Sequence, residues 1–436
     1  MRTRLVAAAL GGTLALGAGA AAPGGPASKP STVGDVLRLT DTIAARVAAL
    51  RELPLVTPID KSLITRADAR TLFAEHAAKD RTKDEIAAEG ALLVKLGLMP
   101  AGTGYWELVL DLLAEQVAGF YDTDRRKLFL ADWLGPDPVA LAHEITHALA
   151  DQHFDLRRWE ARMATSSDFA LAFSAVAEGD AVASMIDYGL DGKRRFTDIP
   201  GIVDSMRGEY ESGAAKPAGA VSDSPRFDAA PAVLRKSLLF PYLDGFAFID
   251  VMRRRGPWAD VDDLYLHPPA STEQILHPAK FFAHEAPLDV PVPTAPALEA
   301  GAHVVLDDVL GEFQLSAILA EHLPPASARA AAAGWAGDRL AVFAPRDAVL
   351  HDPATPDDLA GLVVVHRLAF DDSAEAAEAA RALSAFDATL PLAAGAARVE
   401  RRGRTLLWLV GVPSALRARV LAQLWAAWPG PPDARR

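Results

Sequence analysis

The 436-residue chain contains no cysteine. That absence excludes a thiol nucleophile, a cysteine-ligated metal, a disulfide framework and a lipidated cysteine. Charge is sparse as well: 23% of residues are charged, and acids outnumber bases to leave a net charge of −13. A phosphate-binding surface needs a basic face, so this balance argues against nucleic acid as a partner. No zinc finger, glycine-rich phosphate loop or aromatic–basic platform offsets it. The G-x-S-x-G elbow of many serine hydrolases is also missing. Past the N-terminus there is no uninterrupted run of about 18 apolar residues, so no stable membrane span is expected once the leader is removed.

What is present begins with apolar residues, which make up 50% of the chain. That fraction supports a sizeable core, and the length suits two domains or one elaborated one. Arg2 and Arg4, an apolar run over 5–16 and the small residues Ala18, Gly19 and Ala20 read as a secretion signal cleaved near Ala20. An exported protein is therefore expected, with residues 1–20 as signal peptide and 21–34, rich in Gly, Pro, Ala and Ser, as a flexible lead-in.

From 35 to 297 the pattern is mostly helical, and from 298 to 436 it becomes a smaller α+β module, so the fold class expected is α+β. Helices are predicted over 105–120, 167–190 and 232–255, with a strand at 127–131. Residues 193–231 read as a loop holding one short helix near 202–210. In the last third, strands are predicted at 339–343, 361–370 and 404–412, and helices at 373–386 and 414–427. His351 and His366 stand alone there and read as surface or packed residues.

The most informative stretch is His143-Glu144-Ile145-Thr146-His147. In a helix, two histidines four apart project from one face and can hold one Zn2+ together. The intervening glutamate sits beside the metal, placed to take a proton from its water. The context is helical: Asp137 reads as N-cap, Pro138 as the first helical residue, and Ala142, Ile145 and Leu149 as the buried stripe. A catalytic zinc needs a third protein ligand, for which Glu178 and His153 compete. Glu178 lies among apolar neighbours on a predicted helix, with Gly179 allowing another helix to come close. His153 has metzincin spacing, but Ala150 stands where that pattern needs its turning glycine. Asp151 and Asp180 are candidates to orient a ligand histidine. His277 and Tyr121 are the candidate donors to the oxyanion of the reaction, and strand Lys127–Ala131 a candidate edge for an extended substrate.

The chain resembles zinc metallopeptidases of the gluzincin type, which pair HExxH with a downstream glutamate. More narrowly, EQVAGFYD (from Glu115), HEITHALADQHFDL (from His143) and AEGDA (from Ala177) are similar to a set of bacterial exported metallopeptidases, as are LLFPYLDG (from Leu238) and PPASTEQILHP (from Pro268). The resemblance covers roughly residues 105–282. It implies a zincin-like domain over 35–297, with His143, His147 and Glu178 as zinc ligands and Glu144 as base. One departure is that Val182 stands where many gluzincins carry an acid, four residues past the glutamate ligand. The expected activity is hydrolysis of peptide bonds in a peptide or protein substrate. The alternatives are a catalytically silent exported binding protein, or an amide hydrolase acting on a non-protein or cell-wall substrate.

Overall fold

The computed structural model describes residues 33–116, 119–133, 137–211, 225–390 and 396–431. The expected signal segment and lead-in fall outside the described residues, except Val33 and Gly34, which open the first helix.

The chain starts with helix α1 (Val33–Arg51), strand β1 (Asp60–Ile64) and helices α2 (Arg66–Asp80), α3 (Lys83–Lys95) and α4 (Tyr105–Gln116). Threonines start two of these helices. Thr65 accepts the Asp68 N–H at the head of α2, and Thr82 closes a reciprocal capping box with Glu85 at the head of α3. A hairpin follows, β2 (Gly119–Asp122) and β3 (Lys127–Ala131). Of the helix predicted over 105–120, Tyr105–Gln116 is described as helix, and Gly119 and Phe120 belong to a strand. Gly119 explains the change: a Cβ there would lie 3.0 Å from the Phe129 carbonyl oxygen, and the aromatic pair Phe120–Tyr121 favours the pleated surface. β1 runs parallel to β3, and β2 antiparallel to it with Tyr121 opposite Leu128. Strand order β1-β3-β2 puts β3 in the centre, so the substrate edge expected of it does not exist. β2 is the edge strand packed beside the next helix.

That helix is α5 (Pro138–Phe154), followed by the short α6 (Glu160–Met163) and the long α7 (Ser167–Gly189). Asp137 caps α5 by accepting the Val139 N–H, with Pro138 in the first turn, and Ser166 caps α7 through the Phe169 N–H. Among the described residues α7 alone is long and apolar enough to cross a membrane, yet it is buried as the axis of the core. Then come α8 (Ile202–Glu211), α9 (Pro225–Ala229), α10 (Ala232–Arg255), α11 (Trp258–Leu266), α12 (Thr272–Leu276) and α13 (Pro278–Phe282).

The last third contains α14 (Pro296–Glu299), β4 (Ala302–Asp308), α15 (Gly311–Leu319), α16 (Pro325–Ala332) and β5 (Trp335–Pro345). It continues with α17 (Pro356–Gly361), β6 (Val363–Phe370), α18 (Ser373–Asp387), β7 (Ala397–Arg402), β8 (Thr405–Val410) and α19 (Ser414–Ala427). The strands form one antiparallel sheet in the order β4-β5-β6-β8-β7. Alternate residues take opposite faces, as the pleat requires. Leu340, Val342, Val364, Leu368 and Trp408 join a continuous core that reaches back to Ile64 on β1. Ala341, Phe343, Val365 and Leu409 pack with α14 and α19 on the other face. The protein is thus α+β.

Candidate metal centre

α5 is seated by its apolar stripe. Ala142, Ile145, Ala148 and Leu149 are buried against Ile43, Ala44 and Val47 of α1 and against Tyr121, Leu128 and Leu130 of the hairpin. The histidines emerge on the neighbouring flank, where α7 crosses. His143 Nε2 lies 3.1 Å from His147 Nε2 and 3.0 Å from Glu178 Oε2, and His147 Nε2 lies 3.6 Å from the same oxygen. His143, His147 and Glu178 are 0%, 2% and 7% exposed.

These spacings suit a zinc ion. Ligand atoms about 2.1 Å from a tetrahedral centre sit roughly 3.4 Å from one another, within the range found here. The donor set, two imidazoles and a carboxylate, is one that catalytic zinc uses. Burial pushes the His143 pKa down, favouring the neutral form in which imidazole binds metal. Burial alone would raise the Glu178 carboxyl; the adjacent His147 and His143 outweigh it and leave the pKa lowered.

α7 approaches because two glycines let it. A Cβ on Gly179 would fall 2.4 Å from the carbonyl carbon and oxygen of Gly245 on α10, and one on Gly245 would fall 2.2 Å from the Ala175 carbonyl oxygen. α7 and α10 therefore cross in backbone contact, one residue past Glu178. Glu144, 1% exposed, accepts the Tyr121 N–H at Oε2 over 3.1 Å, which ties the carboxylate to edge strand β2.

Several expected roles are corrected. His153 is exposed and its Nε2 contacts the Pro54 carbonyl oxygen at 2.7 Å, away from the cluster. Because α5 continues through Phe154, His153 is rotated about 240° from His147, too far to share a metal. Tyr121 gives its hydroxyl to Asp151 at 2.9 Å, so it reaches the site through its backbone N–H and not as an oxyanion donor. Asp151 accepts that hydroxyl and the Leu156 N–H, and orients no ligand histidine. Asp180 accepts from Arg51 Nε at 2.6 Å and from the Tyr265 hydroxyl at 2.9 Å, so it too holds something other than a ligand histidine. His277 pairs with Glu312 on α15 at 2.9 Å, which pushes its pKa up, and it takes no part in the cluster.

Two participants escaped the sequence reading. Tyr242 of α10 stacks on the His143 ring, with centroids 5.9 Å apart and planes at 19°. Its signal was Pro241 within the apolar LLFPYLDG run, a kink-prone position beside a residue with a polar tip. Arg51 gave no signal beyond being the last of three arginines in the amphipathic α1. A second carboxylate group, Glu273, Glu285 and Asp371, already surrounds the Lys280 ammonium at 2.6, 2.8 and 2.6 Å, which leaves no room for a cation.

A family model described as a domain of unknown function, DUF8575, matches residues 302–421, from β4 into α19. No curated protein and no solved structure matches the chain. The matched segment is the C-terminal sheet with its helices, and His143, Glu144, His147 and Glu178 all lie outside it.

Proposed function

We propose that the protein is an exported zinc metallopeptidase with a zincin-like catalytic unit. The observation that carries this reading is the convergence of His143, His147 and Glu178 from two helices, with Glu144 buried beside them. Bound zinc would supply Lewis acidity, making a water nucleophilic near neutral pH and polarising the scissile carbonyl. His143 and His147 Nε2 with Glu178 Oε2 would hold the ion. Glu144, its Oε2 fixed by the Tyr121 N–H, takes the proton from the attacking water and returns it to the leaving amine. The burial of all four residues excludes bulk water and strengthens each of these interactions.

The test is metal analysis of the purified chain, followed by digestion of casein with and without a chelator. Glu144→Gln is expected to retain zinc and lose roughly 100- to 10,000-fold in rate, the usual contribution of a general base. Wild-type protein that binds no zinc, or a Glu144→Gln variant with full activity, overturns the assignment. The near-complete burial of all four residues favours one second reading, a zinc-holding protein without turnover. Zinc bound stoichiometrically with no cleavage of any member of a peptide library would select it.

A further inference from the structure

We propose that Asp180 is a positioning residue for the metal site, anchoring α7 through Arg51 and Tyr265 so that Glu178 meets His143 and His147. The inference rests on the zinc reading above and gives Glu178-Gly179-Asp180 a single purpose.

Successive residues of a helix point about 100° apart, so three in a row address three different neighbours. Glu178 faces the histidines of α5. Gly179 lies against the backbone of α10 at Gly245. Asp180 faces the end of α1 and the side of α11, where its Oδ1 accepts from Arg51 Nε at 2.6 Å and its Oδ2 from the Tyr265 hydroxyl at 2.9 Å. Both side chains of the ion pair are 0% exposed. Arg51 is itself fixed: its Nη2 donates to Asp262 at 2.6 Å, and its guanidinium lies 4.3 Å from the centre of the Trp258 ring. Together the three contacts determine the rotation of α7 about its axis and its depth in the core.

An ion pair this deep is a poor source of stability, because the desolvation of both charges offsets most of their attraction, and apolar residues of like volume often serve as well. Directional geometry is what the pair adds. A carboxylate that accepts at both oxygens from donors on two different elements has one orientation available. A ligand two residues away then inherits that precision, and tolerances at such sites are about 0.5 Å.

The experiment is Co2+ titration of the metal-free full chain, following both affinity and the visible ligand-field spectrum, for wild type, Asp180→Asn and Tyr265→Phe. Leu424→Ala, in α19 where it packs on the sheet face away from the main core, is the control for general destabilisation. Asp180→Asn is expected to weaken Co2+ binding by roughly 10- to 100-fold, the range seen when supporting partners of a metal site are lost, and to change the spectrum. Tyr265→Phe, which keeps the ion pair and removes one donor, shifts affinity in the same direction and serves if Asp180→Asn does not fold. Leu424→Ala lowers the melting temperature but leaves affinity and spectrum unchanged. Wild type that binds no Co2+ overturns the zinc reading and this inference together. Wild type that binds, with Asp180→Asn or Tyr265→Phe binding equally well and with the same spectrum, overturns this inference alone, as does an equal loss in Leu424→Ala.

Discussion

His153 and Glu178 differ as candidates for a third ligand in what the backbone lets each reach. His153 is ten residues past His143 on an unbroken helix, and its ring is used against the Pro54 carbonyl while neighbouring Gln152 brackets Val56 and Thr57. Glu178 arrives from another helix at 3.0 Å. His153→Ala is therefore expected to leave zinc affinity unchanged and to cost about 1 kcal/mol of stability, the net worth of one hydrogen bond. Glu178→Ala is expected to weaken zinc by more than the roughly 10- to 100-fold that follows loss of an outer partner. Competition with a chromophoric chelator measures both. Equal losses in the two variants would return His153 to the ligand set. At this scale the sequence was readable where geometry is local: the HExxH spacing brings His143 and His147 to one helix face with Glu144 between them. Tyr121 and His277 were misread because their hydroxyl and ring are claimed by Asp151 and Glu312, partners 30 and 35 residues away.

Among elements, the crossing of α7 and α10 is the least tolerant feature. Gly245→Ala would put a methyl 2.2 Å from the Ala175 carbonyl oxygen, and neither helix backbone can yield without moving the other. Overpacking of this kind typically costs 1–3 kcal/mol, so a loss of about 3 kcal/mol or more is expected in urea unfolding. A smaller loss, under about 0.5 kcal/mol, would mean that the helices slide freely and that their contact does not hold Glu178. The elements themselves were legible where local signals agree. α5 begins at the expected Asp137–Pro138 cap, β3 spans the expected residues, and α18 and α19 fall within a residue of their predicted ends. Each has a cap or a clean period that needs no distant partner. The α4–β2 boundary failed because helix-like spacing of Leu108, Leu112 and Leu113 continued into Phe120, and only pairing with β3 makes that segment a strand. The centrality of β3 was hidden for the same reason, since β1, which covers its second edge, lies more than sixty residues upstream.

Across the whole molecule, the seam between the C-terminal sheet and α7 is where pH should act on stability. Asp308 of β4 accepts the Ser167 N–H at 2.8 Å and also the Ser167 hydroxyl, and the Val309 carbonyl accepts the Asp168 N–H at 3.0 Å. Asp338 holds the turn between them by accepting the N–H groups of Leu310 and Gly311. Gly311 has φ of +79°, and a Cβ there would collide with the Asp168 carboxylate at 1.9 Å. Burial pushes the Asp168 pKa up to about 8, although Thr272 donates both its N–H and its hydroxyl to the carboxylate. In the unfolded chain an aspartate titrates near 3.9. Between roughly pH 4 and pH 8 the folded protein therefore holds a proton that the unfolded chain releases. The contribution is fully present below about pH 4 and is lost as pH rises towards 8. Glu273 and Glu89, each pushed up to about 7 by burial, slope the same way. The denaturant midpoint is thus expected to fall between pH 5 and pH 8, and Asp168→Asn, which stays neutral throughout, is expected to flatten that fall in part. An unchanged slope in Asp168→Asn would mean that the carboxylate is already ionised in the native seam, with Thr272 outweighing burial.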